Sequence, residues 1–224
     1  AVELELMADV PIGVFLSGGL DSSTVALFAR RLTGKPIKTF SMRFEESTHD
    51  ESSDARMVAK TLETDHHELL FDRATLLRML WETAQALDEP FADSTVLPLL
   101  ALSKFARQHV KVVLTGWGGD EIFAGYPTYR AHRLAQWYRR IPRWISAGVV
   151  PALAGRLPVS DKYMSFEFKA KRFLQGLDEP PEIQHFHWMG YFDNLAKRKL
   201  FRKDLISRID AGTYDPVAQA VEEL

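Results

Sequence analysis

The chain has 224 residues, 46% of them hydrophobic, and a net charge of −2. It can therefore bury the core of one domain, or of one domain with an appendage. Its near-neutral balance excludes a strong electrostatic pull toward nucleic acid or a membrane surface. It contains no cysteine, which excludes disulfides, thiolate metal sites and a cysteine nucleophile within it.

The longest apolar stretch, Trp144 to Gly155, is shorter than the roughly 20 residues that span a bilayer. The first residues are acidic rather than basic, unlike a secretory leader. No internal repeat or low-complexity tract is present. The chain opens on Ala1 rather than Met, and is expected to be a piece of a longer cytoplasmic protein.

Residues 12–16 are an apolar run and read as a first strand. Ser17-Gly18-Gly19 interrupts it, and Val25, Phe28, Ala29 and Leu32 then recur at i, i+3, i+4 and i+7, the spacing of a helix. Gly34 and Pro36 end that helix. Ile37 to Phe44 reads as a second strand, residues 45–53 as a loop, and Ala55, Val58, Ala59 and Leu62 as one face of a second helix. A short strand from His67 to Phe71 precedes a helix carrying Leu76, Leu77, Leu80, Trp81, Ala84 and Leu87. Pro98 to His109 reads as a fourth helix with the proline in its first turn, and Val112 to Thr115 as a fourth strand.

Strands alternating with helices predict an α/β fold whose parallel sheet is flanked by helices on both faces. Loops 17–23, 43–53 and 116–126 should then share the carboxyl edge of the sheet, where such folds bind ligands. From Tyr129 onward the pattern is helical only, punctuated by Pro142, Pro151, Pro158, Pro180 and Pro181. We expect a nucleotide-binding domain over residues 1–128 and a helical C-terminal extension over 129–224.

The strand–Ser17-Gly18-Gly19–helix junction carries the most chemistry. It points several backbone N–H groups at one spot, next to the positive end of a helix dipole. The glycines let the backbone approach an anion, and Ser17, Ser22 and Ser23 add hydroxyls. A phosphate chain is the expected guest. No lysine stands where a Walker A loop requires one. Asp21 is unfavourable beside an anion unless a cation such as Mg²⁺ joins them; otherwise it merely caps the helix.

Residues 8–23, Ala8-Asp9-Val10-Pro11-Ile12-Gly13-Val14-Phe15-Leu16-Ser17-Gly18-Gly19-Leu20-Asp21-Ser22-Ser23, resemble the synthetase domain of the asparagine synthetases, within the ATP pyrophosphatase (PP-loop) superfamily. Leu114-Thr115-Gly116-Trp117-Gly118-Gly119-Asp120-Glu121-Ile122-Phe123-Ala124-Gly125-Tyr126 is similar to a second block of that family, and Asp88-Glu89-Pro90-Phe91-Ala92-Asp93 to a third. The resemblance covers residues 1–130 and fades beyond. It implies an adenine nucleotide alpha hydrolase-like, Rossmann-like fold and an ATP-dependent, carbon–nitrogen bond-forming ligase. ATP would activate a carboxylate, aspartate in the family, as an acyl-adenylate, and ammonia would then attack.

By motif position, Ser17, Gly18, Gly19, Leu20, Asp21 and Ser22 would hold pyrophosphate. Phe15, Met42, Thr115 and Gly116 would contact adenosine, although core packing is an equal reading of Phe15 and Met42. Asp21 and Asp120 would share Mg²⁺ and form the catalytic set with Trp117, while Glu121 would be structural. Asparagine synthetases carry an acidic residue at the position of Trp117. An indole cannot take a proton, so it either fills space beside a different acceptor or swings out as a loop side chain. The absence of cysteine argues against a sulfur-transferring member of the superfamily.

Ammonia would come from a glutaminase domain not present in these residues, nor is the family's later Glu-x-Arg-x-Pro-Phe-Leu-Asp segment found before Leu224. The fragment alone is expected to be inactive, with neither nucleic acid nor membrane as partner and a homodimer left open. Two other readings stand beside this one: a β-lactam synthetase-like ligase with another acceptor, and a non-catalytic nucleotide-binding module.

Other clusters read as structural. His66 and His67 are adjacent on a strand and point to opposite faces. His185 and His187 lie two apart in a helical stretch, on different faces. Lys169, Lys171 and Arg172 read as a solvated helical face.

Overall fold

A computed structural model describes residues 1–45, 50–89, 91, 93–142, 144–158, 165–177, 179–190, 194–206, 212 and 214–223. The expected loop 45–53 and the Asp88–Asp93 block fall partly outside these residues, at 46–49, Pro90 and Ala92. The chain forms two compact units, Ala1–Phe123 and Ala124–Leu224.

In the first unit the order is α1 (Val2–Glu5), β1 (Ile12–Phe15), α2 (Leu20–Thr33), β2 (Lys38–Phe44), α3 (Ser52–Leu62), β3 (Asp65–Phe71), α4 (Arg73–Ala86), α5 (Val96–Ala106), β4 (Val112–Leu114) and α6 (Gly119–Phe123). The strands form one sheet in the order β3-β2-β1-β4. Every pairing is parallel, with Phe15 opposite Phe40, Val14 opposite Leu114 and Met42 opposite Leu69. The expected parallel α/β sheet flanked by helices is present. The short helices α1 and α6 have too few residues to show a periodic pattern in the sequence.

Alternation along the strands sorts the core into two faces. Val14 and Leu16 pack with Ala26 and Ala29 of α2, Ala55 and Ala59 of α3, and Ile37. On the other face Phe40 packs with Ala106 and Val110, joined by Phe15, Phe105 and Val113. Phe71, Met79 and Ala101 continue that face, joined by Met42 and Phe44. The buried residues of α2 are Ser22, Ala26 and Ala29, while Phe28 and Leu32 are each 47% exposed. The stripe is thus rotated from the one the large apolar residues suggest. Small side chains let α2 sit close to β1, immediately after a short loop. In α4 likewise Thr75, Met79 and Thr83 are buried, and Leu77, Leu80 and Trp81 are exposed.

Helix ends follow local chemistry. Asp72 caps α4 by accepting from the Thr75 N–H at 2.8 Å. Gly34 closes α2 in the left-handed region, with φ of +64°.

The second unit contains α7 (Pro127–Tyr138), a π-helical turn (Ile145–Val149), α8 (Val150–Gly155), α9 (Phe166–Gln175), α10 (Pro181–Met189), α11 (Asn194–Leu200), α12 (Lys203–Ile206) and α13 (Asp215–Glu222). Its described residues are helical, and they are centred on rings. Trp188 stacks on Phe173 at 5.8 Å and donates from Nε1 to the Phe173 carbonyl at 3.2 Å. His185 stacks on His132 at 5.6 Å, whereas His187 lies toward Tyr214. Lys171 pairs with Glu167, and Arg172 donates to the Trp188 carbonyl. No helix among the described residues is long and apolar enough to cross a membrane.

Phe40 has no exposed surface. An ideal Cβ built on Gly13 would come within 2.6 Å of its ring, so the glycine is the floor on which that ring lies. Phe40→Ala should lower the unfolding free energy by about 3–5 kcal/mol through lost burial and a residual cavity; urea titration with an unchanged m-value checks it.

Candidate functional site

Four backbone segments of the first unit converge beyond the carboxyl end of β1. They are the Ser17–Gly19 loop, the first turn of α2, the Gly116–Gly119 turn after β4, and the first turn of α3. Gly18 has φ of +86°, a region that side-chain-bearing residues avoid. An ideal Cβ on it would lie 2.6 Å from the Ala55 nitrogen and the Asp54 carbonyl carbon. The loop therefore packs backbone to backbone on α3. Gly19 caps α2 in an extended conformation, leaving the first-turn N–H groups of Leu20, Asp21 and Ser22 without carbonyl partners inside the helix.

The hydroxyls divide into two kinds. Ser22 is 8% exposed; its Oγ accepts from the Ser17 N–H at 3.2 Å and sits 2.9 Å from Ser17 Oγ and 3.3 Å from the Gly19 carbonyl. Ser17 Oγ in turn accepts from the Gly19 N–H at 3.2 Å. Ser17 and Ser22 thus brace the loop from inside. Ser23 Oγ, one of the three hydroxyls expected at this junction, is buried without a hydrogen-bond partner among the described residues. Leu20 is 83% exposed and offers the site only its backbone.

The second glycine block closes onto the first. Gly119 N–H donates to the Gly116 carbonyl at 3.3 Å. Gly118 has φ of +89°, the conformation that the third position of a type II turn demands. Trp117 stands at the second position of that turn, 75% exposed. An ideal Cβ on Gly116 would lie 2.7 Å from the Ser22 nitrogen, and one on Gly119 would lie 2.6 and 2.8 Å from the two Asp21 carboxylate oxygens. The Asp21 carboxylate is therefore pressed against the residue that precedes Asp120.

Behind this arrangement lies a polar network. Asp50 accepts from the Phe44 N–H at 3.3 Å and from the Ser52 N–H and hydroxyl at 3.2 and 3.0 Å. Partial desolvation raises the Asp50 pKa, but the Ser52 and Phe44 hydrogen bonds and the Arg56 charge outweigh it and hold the group below the ordinary carboxylate value. Arg56 donates to the Ser52 carbonyl at 3.2 Å and to the Ser52 hydroxyl at 2.7 Å. Its Nε also lies 3.3 Å from Glu68 Oε1. His66 reaches Thr39 at 2.9 Å, Ser41 at 3.2 Å and Glu68 at 3.6 Å. His67, on the opposite face, stacks on Phe40 at 5.4 Å.

Residues 1–211 match the family model described as asparagine synthase. The chain belongs to the asparagine synthase family. It is 36% identical over 160 residues to a putative glutamine-hydrolyzing asparagine synthetase 2 of Methanocaldococcus jannaschii, covering 71% of this chain and 30% of that protein. It is 31% identical over 192 residues to glutamine-hydrolyzing asparagine synthetase 1 of Bacillus subtilis, covering 78% of this chain and 30% of that one. It is also 33% identical over 192 residues to amidase chyE of Penicillium rubens, covering 79% and 27%. The chain thus covers less than a third of each of these relatives.

The structure brings together most of the residues that the asparagine synthase resemblance singled out. Ser17 to Ser22, Thr115, Gly116 and Trp117 share one edge of the sheet with Asp21, and Asp120 follows Gly119 directly. Phe15 and Met42 pack their partly buried side chains against the core clusters of Phe40 and Phe71 respectively, as the core-packing reading of these two positions expects. No group of three or more His, Cys, Asp or Glu that could hold a metal occurs among the described residues. Mg²⁺ is a hard cation that takes few protein carboxylates and retains its waters, so a site of one or two carboxylates would fall below that count. Among the described residues Asp21 makes no side-chain hydrogen bond or ion pair.

Desolvation lowers the His66 pKa below its ordinary 6.5, with Glu68 opposing in part. The unfolded chain therefore takes up this proton first as pH falls. The stability His66 contributes is complete above about pH 6.5 and is lost as pH drops through its lowered folded value. The melting temperature should fall between pH 7 and pH 5, and His66→Gln should flatten that fall, as followed by circular dichroism.

Proposed function

We propose that this chain is the ATP-binding core of an amide-forming ligase that activates a carboxylate as an acyl-adenylate and passes the acyl group to ammonia. The observation that carries the reading is the closure of the Gly116–Gly119 turn onto Asp21 and Ser22. It puts a helix N-terminus, a left-handed glycine loop and the Asp21 carboxylate in one place, next to the residue that precedes Asp120. The names of the relatives, glutamine-hydrolyzing asparagine synthetases, support the same class of reaction.

In this reading the backbone donors at Gly18 and the first turn of α2 take the β- and γ-phosphates, with Ser23 Oγ as an additional donor. Asp21 and Asp120 would hold Mg²⁺, which supplies charge neutralisation for the pyrophosphate when bound. The backbone of Phe15, Met42, Thr115 and Gly116 flanks the adenosine. A carboxylate oxygen of the acceptor attacks the α-phosphorus and the bond to the bridging oxygen breaks, so pyrophosphate leaves. Ammonia then attacks the acyl carbon, loses a proton and expels AMP. N–H groups already aimed at the phosphates require no reorganisation as charge moves onto the leaving oxygen. Ammonia would come from a glutaminase domain of the intact protein.

Trp117 bears on the acceptor. It projects from the turn that touches Asp21, at the position where asparagine synthetases are acidic. An indole there narrows the acceptor side and favours a flat or apolar acid over aspartate. The amidase relative fits a family whose acceptors vary.

Two measurements test these points. Calorimetric titration with ATP and Mg²⁺ should show binding that Gly18→Val removes, because the added side chain collides with α3; unchanged affinity in that variant would sink the phosphate assignment. With ammonia supplied directly to the intact enzyme, Trp117→Glu should raise the rate of aspartate-dependent AMP formation relative to other acids. An unaltered acceptor ranking leaves Trp117 as a loop side chain without a role in specificity.

A further inference from the structure

The nucleotide loop does not rest on the sheet alone. Its left-handed Gly18 lies against the first turn of α3, close enough that a single methyl group would reach within 2.6 Å of the Ala55 nitrogen. Where α3 starts therefore decides where Gly18 can be. Two tethers set that start. Asp50 links the last residue of β2 to Ser52, through the Phe44 N–H and the Ser52 N–H and hydroxyl. Arg56 links the same Ser52 to β3. The hydrogen on its Nε is directed to the Ser52 carbonyl and Nη2 donates to the Ser52 hydroxyl, while Glu68 lies at ion-pair range on its other side.

We propose that Arg56, held by Glu68, is a positioning residue for the phosphates of the nucleotide: it fixes the first turn of α3 and thereby the Gly18 peptide, without touching the ligand. The proposal rests on the reading of residues 17–23 as a phosphate loop. A planar guanidinium suits the task, because its fork can engage a carbonyl and a hydroxyl of one residue while facing a carboxylate. Ser52 is fully buried, so its carbonyl and hydroxyl have no water to replace a lost guanidinium. Glu68 is anchored in turn, being a strand residue within 3.6 Å of His66. The chain of contact runs β3, Glu68, Arg56, Ser52, the first turn of α3, Gly18.

The distinguishing readout is ligand selectivity. A loop that moves should lose affinity for phosphates and keep affinity for the nucleoside, whose contacts come from β1, β2 and the Gly116 turn. Magnesium pyrophosphate and adenosine are titrated separately by calorimetry into the unmodified chain, Arg56→Ala, Arg56→Lys and Glu68→Gln. We expect Arg56→Ala to weaken pyrophosphate between about twofold and thirtyfold and to leave adenosine unchanged. Arg56→Lys should recover part of the loss, since it restores the charge without the fork. Glu68→Gln keeps the side-chain shape and serves where Arg56→Ala fails to fold. Unchanged pyrophosphate affinity in both Arg56→Ala and Glu68→Gln overturns the proposal, as does an equal loss of both ligands, the mark of a merely structural role. If the unmodified chain itself fails to bind pyrophosphate, the phosphate assignment of the loop falls instead.

Discussion

The close approach of three glycines to two helix N-termini is the constraint on which the rest of the site depends. Gly116 sits on the Ser22 nitrogen, Gly119 on the Asp21 carboxylate, and Gly18 on the start of α3. At Gly18 and Gly116 a Cβ would strike backbone, at Gly119 it would displace the Asp21 carboxylate, and Gly18 and Gly118 also adopt left-handed backbone angles. A loop built this way gives up side chains so that peptide groups can face the ligand. It also gives up conformational freedom, since each turn wedges the next. The loop is shaped by exclusion more than by attraction: the hydroxyls of Ser17 and Ser22 are spent on bracing it.

The sheet makes this wedge possible. All described pairings are parallel, so the ends of β1, β2 and β4 deliver their loops to one edge. Alanines at 26 and 29 draw α2 close to β1, and Ala55 and Ala59 do the same for α3 on the same face. Larger residues on those stripes would push the helices outward and open the glycine contacts above them. Packing in the core and geometry at the site are therefore one problem, solved by small residues in both places.

Much of this was legible in the sequence, and the misses have identifiable causes. Strand and helix identities followed from periodicity, and both glycine blocks announced turns with helices or strands on their flanks. The buried stripes of α2 and α4 did not follow, because hydrophobicity reports what a residue prefers and not which face an adjacent strand leaves open. Ala26 and Met79 are buried while Phe28 and Trp81 are exposed for that reason. Ser22 is a brace and Ser23 an unsatisfied donor, a distinction that depends on where each hydroxyl lies on the first turn, invisible in a Ser-Ser pair. The Asp50–Ser52–Arg56–Glu68 network joins residues from three elements with no motif among them. Only the fold shows that it supports the loop.

Phe15 and Met42 show how far identity at a position can be read as recognition. Both stand at positions where the resemblance implies adenosine contact, and both pack partly buried side chains against aromatic and aliphatic neighbours of the core. A purine at this edge would meet their peptide groups, which are the same whatever the side chain. Trp117 is the opposite case. Its backbone belongs to a turn dictated by Gly118, and its side chain is free to vary because the turn throws it outward. Substitution at the first kind of position changes the core and leaves the nucleotide contacts alone. Substitution at the second leaves the core alone and changes what the turn presents at this edge. In this chain the division runs between the strand ends, which hold the backbone, and the tip of the Gly116–Gly119 turn, which carries the indole.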